Sequence, residues 1–173
     1  MKLKTKIAVV LGLATLPLLV PAGAQADGPH ARVLELRDQC EKASWDVEFP
    51  GLCTRDAGSV SLPEFRAALA DGGSGAWWIR QRHLTVDAGD SIAATDVGGI
   101  VHTFTEVTQF GKGCVPEWNQ AVTETVDNCD FSRFGATIVP PGTTSAPQTL
   151  AVGVHRFQCL IHPWMRTTVT VEA

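Results

Sequence analysis

The chain has no excess of positive charge and, beyond its first twenty residues, no long apolar run. Its 173 residues contain 14 Lys and Arg against 18 Asp and Glu, which gives a formal net charge of −4 at pH 7. An acidic chain argues against nucleic acid and anionic lipid as partners, and favours cationic proteins. No stretch after residue 20 reaches the roughly 18 apolar residues of a membrane span, and no internal repeat is present.

The single apolar run lies at the N-terminus and has the form of a secretory signal peptide. Three lysines precede the apolar residues 7–20, and the small residues 24–26 follow at the position where such peptides are cut. We therefore expect residues 1–26 to be removed by cleavage near Ala26 and the mature chain to be exported to the periplasm or the extracellular space. Cleavage would move the formal charge from −4 to −7, because this segment contains three lysines and no acid.

The chain has five cysteines, an odd number for an exported protein. Nearness in sequence favours a disulfide between Cys40 and Cys53 and another between Cys114 and Cys129. Cys159 is then left as a free thiol. A buried, unreactive cysteine is one explanation for it.

The residues around Cys159 favour another explanation. His162 and Met165 follow it at C-x2-H-x2-M spacing, and His102 lies upstream behind a Gly-Gly turn. A Cys that closes one strand and a Met that opens the next can turn their sulfur atoms toward one point. Thiolate, imidazole and thioether together are the donors that copper prefers. Met165 as a filler of gaps in the core is the alternative that remains open.

Two imidazoles and a thiolate in a trigonal plane, with a weaker axial thioether, form a blue-copper electron-transfer centre. In these motifs and their order the chain resembles the cupredoxin family, most closely its amicyanin and plastocyanin types, over about residues 76–173. The resemblance implies one copper ion with four protein ligands: His102, Cys159, His162 and Met165. It also implies that His162 is the ligand nearest solvent. Because Trp164 lies between a ligand His and a ligand Met, we expect it to form part of an apolar patch near His162 where a redox partner docks.

The segment before residue 76 is expected to be a helical extension, residues 27–75, stapled by a disulfide. Residues 30–42 have apolar side chains at helical spacing, and Ser61 with Glu64 forms a capping-box pattern that opens a second helix. The glycines in residues 72–75 mark the boundary with a copper-binding domain at residues 76–173.

From residue 76 onward, short β-rich runs separated by Gly, Pro and Asp predict a mainly β fold, a Greek-key sandwich. The predicted strands are 77–80, 83–86, 91–94, 100–105, 137–139, 149–152, 156–159 and 167–171. Residues 107–134, which contain the second disulfide, are expected to form a stapled loop near the metal end of the sandwich. His155 shares a face with Phe157 and Cys159 and is interpreted as a hydrogen-bonded core residue.

These observations favour an exported, monomeric carrier of single electrons with one copper ion and no enzymatic activity. Copper oxidases and nitrite reductases need further copper ligands, typically paired His-x-His elements, and the sequence contains none. Two alternatives stay open at this point. The same ligands could serve copper storage, delivery or sensing, or the chain could be an adhesion-type sandwich whose metal site is idle.

Overall fold

The computed structural model describes residues 29–173, so the predicted signal peptide, residues 1–26, lies outside the described residues. The strands are β1 (Ala31–Arg37), β2 (Trp78–Ile79), β3 (His83–Asp87), β4 (Ser91–Asp96), β5 (His102–Thr103), β6 (Thr105–Val107), β7 (Ile138–Val139), β8 (Gln148–Thr149), β9 (Gly153–Gln158) and β10 (Arg166–Glu172). The α-helices are α1 (Lys42–Trp45), α2 (Leu62–Ala68) and α3 (Phe131–Ala136), and two 3-10 helices cover Leu69–Asp71 and Pro116–Ala121.

The strands form two four-stranded sheets and one short pair. The first sheet has the order β2-β1-β4-β8, the second has the order β3-β10-β9-β6, and β5 pairs with β7. Each large sheet contains one parallel pair, β1 with β4 and β3 with β10. Strands that neighbour each other in a sheet are often far apart in sequence, which is the mark of crossover connections. The predicted mainly β sandwich is confirmed.

The core lies between the two large sheets. Thr167, Val169 and Val171 of β10 are buried and alternate with more exposed residues, as a half-buried strand requires. Leu34 and Leu36 of β1 belong to the same buried cluster from the opposite sheet. A single apolar core therefore joins the sheets and carries the loops at their ends.

The predicted helix over residues 30–42 is wrong. Residues 31–37 form β1, which pairs antiparallel with β2 and parallel with β4, and a single helical turn, α1, begins only at Lys42. Every second side chain from Leu34 through Leu36 and Asp38 to Cys40 is fully buried. This period of two is that of a strand, and it competes in the sequence with the helical spacing of Val33, Leu36 and Cys40.

β1 also shows how the N-terminal segment is attached. Six consecutive residue pairs join β1 to β4, which lies beyond residue 76. The segment therefore contributes a strand to the first sheet in addition to its helices. The division into residues 27–75 and 76–173 stays a prediction.

The remaining local predictions for this segment hold. In α2 the Ser61 hydroxyl accepts a hydrogen bond from the Glu64 N–H, and the Glu64 carboxylate accepts one from the Ser61 N–H at 2.8 Å, which is a capping box. The disulfide Cys40–Cys53 is present. Within residues 29–173, no helix has the length and apolar character needed to cross a membrane.

Candidate metal centre

Three of the four predicted ligands meet at one end of the sandwich. His102 lies in β5, Cys159 directly follows β9, and His162 lies in the loop that leads to β10. The Nδ1 atoms of His102 and His162 are 3.2 Å apart, and the Cys159 Sγ lies 3.9 Å from the first and 3.6 Å from the second. All three side chains are fully buried. The three donor atoms therefore form a compact triangle that is closed to solvent.

The loop between Cys159 and Met165 is short and tightly closed. The Cys159 N–H donates to the Met165 carbonyl at 3.0 Å, and the Met165 N–H donates to the His162 carbonyl at 2.9 Å. These hydrogen bonds fix the ligand loop between the end of β9 and the start of β10. Met165 is also fully buried. Its place as an axial ligand stays a prediction.

The Cys159 sulfur lies in an environment that favours the thiolate. Burial alone raises the pKa of a thiol, but the His102 imidazole and the N–H groups of Thr103 and His162 lower the pKa of Cys159 below its ordinary value. These two N–H groups lie 3.3 and 3.4 Å from the sulfur. The thiolate is the form that binds metal, so these contacts prepare the residue for a cation.

A buried carboxylate, Asp38, orients His102, and sequence reasoning missed it. The Asp38 Oδ2 lies 3.2 Å from the His102 Nε2 and accepts hydrogen bonds from the N–H groups of Gly99 at 2.8 Å and Ile100 at 3.0 Å. The imidazole Nε2–H therefore points at the carboxylate, and Nδ1 faces Cys159. A Cβ on Gly98 would lie 1.9 Å from this oxygen, so only glycine lets the turn wrap around Asp38.

A second carboxylate, Asp96, is buried in the same region, and sequence reasoning missed it as well. Together with Asp38 and His102 it forms a group whose polar atoms all lie within 4.8 Å of one another. Burial raises the pKa of Asp96 to about 6 against the opposing charge of His102. No hydrogen-bond partner for its Oδ2 is found among the described residues. Asp96 therefore places a second carboxyl group close to Asp38 and His102.

The protonation pattern of the two histidines fits a site that holds a cation. Burial lowers the pKa of His102, but Asp38 and Cys159 outweigh it and raise this pKa to about 10. Burial and the charge on His102 push the pKa of His162 well below its ordinary value. One positive charge thus lies between a thiolate and a carboxylate. A bound metal ion would take the place of the proton on the Nδ1 side.

The size of the triangle agrees with metal coordination. An ion with bonds of about 2.0 Å to nitrogen and about 2.3 Å to sulfur spans donor separations of roughly 3 to 4 Å. The three observed separations lie between 3.2 and 3.9 Å. Two imidazoles and one thiolate are a mixed hard and soft set that suits copper, and zinc is the ion that would compete for it.

His162 is sealed from solvent, as are the other three predicted ligands, so its place as the ligand nearest solvent stays a prediction. Its side chain has no exposed surface, and its Nε2 is buried without a hydrogen-bond partner among the described residues. The aromatic residues that surround it are Phe65, Trp77, Trp118 and Trp164. The N-terminal segment explains the burial, because Phe65 comes from α2 and fills the space beside the ring.

The long loop, residues 107–134, lies against the ligand loop as predicted. The Cys114 N–H donates to the Leu160 carbonyl at 2.6 Å, and a Cβ on Gly113 would lie 2.2 Å from the same oxygen. The predicted disulfide Cys114–Cys129 is present and Cys159 is free. The loop thus packs its 3-10 helix, with Trp118, over the metal end of the sandwich.

His155, the remaining histidine of interest, is not part of the candidate site. Its Nδ1 lies 2.6 Å from the Glu106 carboxylate, and its Nε2 lies 2.8 Å from the Ala151 carbonyl. The prediction of a hydrogen-bonded residue holds, but the ring is only partly buried and faces the edge between β9 and β6. The apolar residue on this strand that fills the core is Phe157, which stacks on Phe104.

Comparison with known proteins gives likenesses in structure alone. No protein-family model and no curated protein matches the chain. A structure of a novel purple cupredoxin from Nitrosopumilus maritimus is similar, with a TM-score of 0.44, 13% identity, and coverage of 82% of this chain and 99% of that one. An oxidised mutant of amicyanin has a TM-score of 0.40 at 12% identity, covering 86% and 95%. Amicyanin from Paracoccus versutus has a TM-score of 0.35 at 18% identity, covering 54% and 72%.

The fold class itself is a mainly β sandwich. Two four-stranded sheets enclose one core, each sheet has one parallel pair, and the Cys-x2-His loop joins β9 to β10 at one end. The sequence-based expectation of this fold is confirmed. The binding of metal by the four predicted ligands is a functional proposal.

Proposed function

We propose that this protein is an exported type 1 copper protein that carries one electron at a time between partner proteins. The observation that carries the proposal is the triangle of His102, Cys159 and His162, closed at 3.2 to 3.9 Å and fully buried. When bound, one copper ion supplies a centre that alternates between two oxidation states. We propose Met165 as its fourth, axial ligand.

The residues of the site hold the donor atoms still. Asp38 fixes the tautomer and the orientation of His102, and the backbone hydrogen bonds between residues 159 and 165 fix the ligand loop. Two N–H groups on the Cys159 sulfur reduce its negative charge and hold it in place. A donor set that is rigid in the protein changes little between oxidation states, and a small change of geometry makes electron transfer fast.

Burial of the site favours electron transfer over copper storage or delivery. A protein that hands over its ion needs a ligand that a partner can reach and displace, whereas His102, Cys159 and His162 expose no surface. An electron crosses packed side chains without any of them leaving its place. None of these three residues offers exposed surface to a substrate, so we propose no enzymatic reaction.

Copper loading of the purified mature protein tests this function directly. We expect an intense blue absorption and narrow copper hyperfine splitting in the EPR spectrum after addition of Cu(II) and removal of the excess. Cys159→Ala should lose the intense band, because the thiolate is the source of the absorption. His83→Ala, which removes an exposed histidine on β3, is the control and should keep it. A pale spectrum with wide splitting in the unmodified protein would reject the proposal.

A further inference from the structure

Because His162 is buried, a partner protein cannot touch either imidazole of the site. Of the four aromatic rings around His162, Phe65 and Trp77 are fully buried as well. Trp118 and Trp164 are the two that are partly exposed. If an electron passes between the protein surface and the donor atoms through these four rings, it must therefore cross the surface at Trp118 or at Trp164.

The contact of Trp118 with His162 is the closer and better aligned of the two. The ring centroids of Trp118 and His162 are 4.7 Å apart, and the ring planes are 20° from parallel. Trp164 meets His162 edge to face, at 5.6 Å and 79°. Two stacked rings in van der Waals contact overlap over their faces, so electronic coupling is stronger there than across an edge.

Trp118 is also held firmly in this position by the stapled loop. Its neighbour Asn119 accepts a hydrogen bond from the Gly113 N–H at 2.7 Å and donates one to the Gly113 carbonyl at 3.0 Å. Cys114, which follows Gly113, is bound to the Leu160 carbonyl of the ligand loop and to Cys129. The loop that contains Trp118 and the loop that contains His162 thus form one connected unit.

We propose that Trp118 is the residue through which electrons enter and leave the candidate metal centre, in place of an exposed ligand histidine. The inference rests on the proposed electron-carrier function and adds the route. One electron passes from a donor protein across Trp118 and His162 into the site, and one later passes by the same route to an acceptor protein. No bond forms or breaks and no proton moves.

The rate of electron self-exchange between oxidised and reduced copper protein tests this route without any knowledge of the natural partner. We expect Trp118→Leu to lower the rate constant by about tenfold or more, with the visible spectrum and the reduction potential unchanged. Trp118→Phe keeps an aromatic ring over His162 and should retain most of the rate. Trp78→Leu, which removes a partly buried tryptophan on β2, is the matched control and should leave the rate unchanged.

Two results would overturn the route. One is an unchanged or faster self-exchange in Trp118→Leu, which would make Trp118 an insulating cover. The other is a loss of rate in Trp164→Leu that exceeds the loss in Trp118→Leu. If the unmodified protein forms no blue centre, the proposed function fails instead, so the two failures are distinguishable.

A second measurement tests the stacking without redox chemistry. In the Zn(II)-loaded protein, the ring current of the indole should shift the NMR signals of the His162 ring protons upfield. Trp118→Leu should remove this shift, while Trp78→Leu should leave it in place. His162 signals at ordinary positions in the unmodified protein would contradict the stacked geometry and the route built on it.

Discussion

At the scale of single residues, the buried carboxylate of Asp38 is the strongest influence on the donor set. It accepts hydrogen bonds from three backbone N–H groups and faces the imidazole of His102. Burial alone raises the pKa of Asp38, but His102 and the backbone donors outweigh it and lower that pKa below its ordinary value. The site therefore includes a fixed negative charge next to one of its ligands.

We predict that Asp38→Asn raises the reduction potential of the copper protein. Loss of a nearby negative charge stabilises the reduced ion relative to the oxidised ion, and a tenfold change in that equilibrium is about 59 mV for one electron. Protein-film voltammetry measures the change. Asp90→Asn is the control. Asp90 is also a buried carboxylate that accepts a backbone hydrogen bond, but it precedes the first residue of β4, whereas Asp38 lies near the last. Equal potentials in Asp38→Asn and the unmodified protein would contradict the role of the charge.

Met165→Leu separates an axial ligand from a residue that only fills the core. The two side chains have similar volumes, so the fold should lose less than about 1.5 kcal/mol. We expect the blue colour to remain and the potential to rise, because loss of a donor atom destabilises the more highly charged oxidised ion more than the reduced ion. Spectroscopy and voltammetry on the same sample measure both. An unchanged potential would show that the sulfur of Met165 does not act on the metal.

At the scale of secondary-structure elements, an ion pair links neighbouring strands of the second sheet. Glu106 of β6 bonds to His155 of β9 at 2.6 Å. The hydrogen bond with Glu106 raises the pKa of His155 above its ordinary value, against the smaller effect of burial. Because the Glu106 side chain is 44% exposed, solvent screens the pair and its contribution to stability is small.

The direction of the pH dependence follows from the raised pKa. A histidine whose pKa is higher in the folded state stabilises the fold fully below its unfolded pKa of about 6.5, and this stabilisation is lost as the pH rises through the folded pKa. We expect the free energy of unfolding of Glu106→Gln to fall less with rising pH than that of the unmodified protein, because the variant lacks the ion pair with His155. Urea unfolding of the metal-free protein at about pH 6 and about pH 9 measures it. Glu172→Gln, which removes an exposed carboxylate at the end of β10, should behave like the unmodified protein.

At the scale of the whole molecule, the metal end is closed by parts that are distant in the sequence. α2 supplies Phe65, the stapled loop supplies Trp118, and the loop before β10 supplies His162 and Trp164. These parts belong to, or pack against, the same apolar core that joins the two sheets, and the contacts of that core are between side chains and do not require a metal. The fold should therefore survive the loss of metal, and metal should add stability to it.

We predict that the metal-free protein stays folded and unfolds at a lower temperature than the copper form. A ligand at a hundred times its dissociation constant adds about 2.7 kcal/mol to the free energy of unfolding. Circular dichroism should show the same β-sheet signal with and without copper. Thermal unfolding should show that copper shifts the midpoint temperature upward. In Cys159→Ala the shift should be much smaller. A metal-free protein without β-sheet signal would contradict the prediction.

Much of the site could be predicted from the sequence because its main part is local. Cys159, His162 and Met165 lie within seven residues, and the tight turn between two strands brings such residues together in any sandwich of this kind. The two disulfides were predictable for a similar reason, since their cysteines are separated by only 13 and 15 positions. The odd cysteine count then pointed to Cys159 as the free thiol.

The remaining features depend on contacts that no local pattern records. Asp38 lies 64 residues before His102, and only the parallel pairing of β1 with β4 brings the end of β1 to the metal site. A signal was present in the alternation of leucine and charged residues over positions 34–37, but the helical spacing in the same segment competed with it. The burial of His162 likewise depends on Phe65 and Trp118, which lie 97 and 44 residues before it in the sequence.

The sequence by itself therefore determined the candidate donor residues, their order, the disulfides and the mainly β fold class. Each of these follows from residue chemistry or from spacing over a few residues. The tertiary structure alone decided that a carboxylate orients His102 and that tryptophan rings cover His162. Both depend on the packing of distant segments into one core, where the burial of apolar surface, and no local preference of the chain, selects which side chains meet.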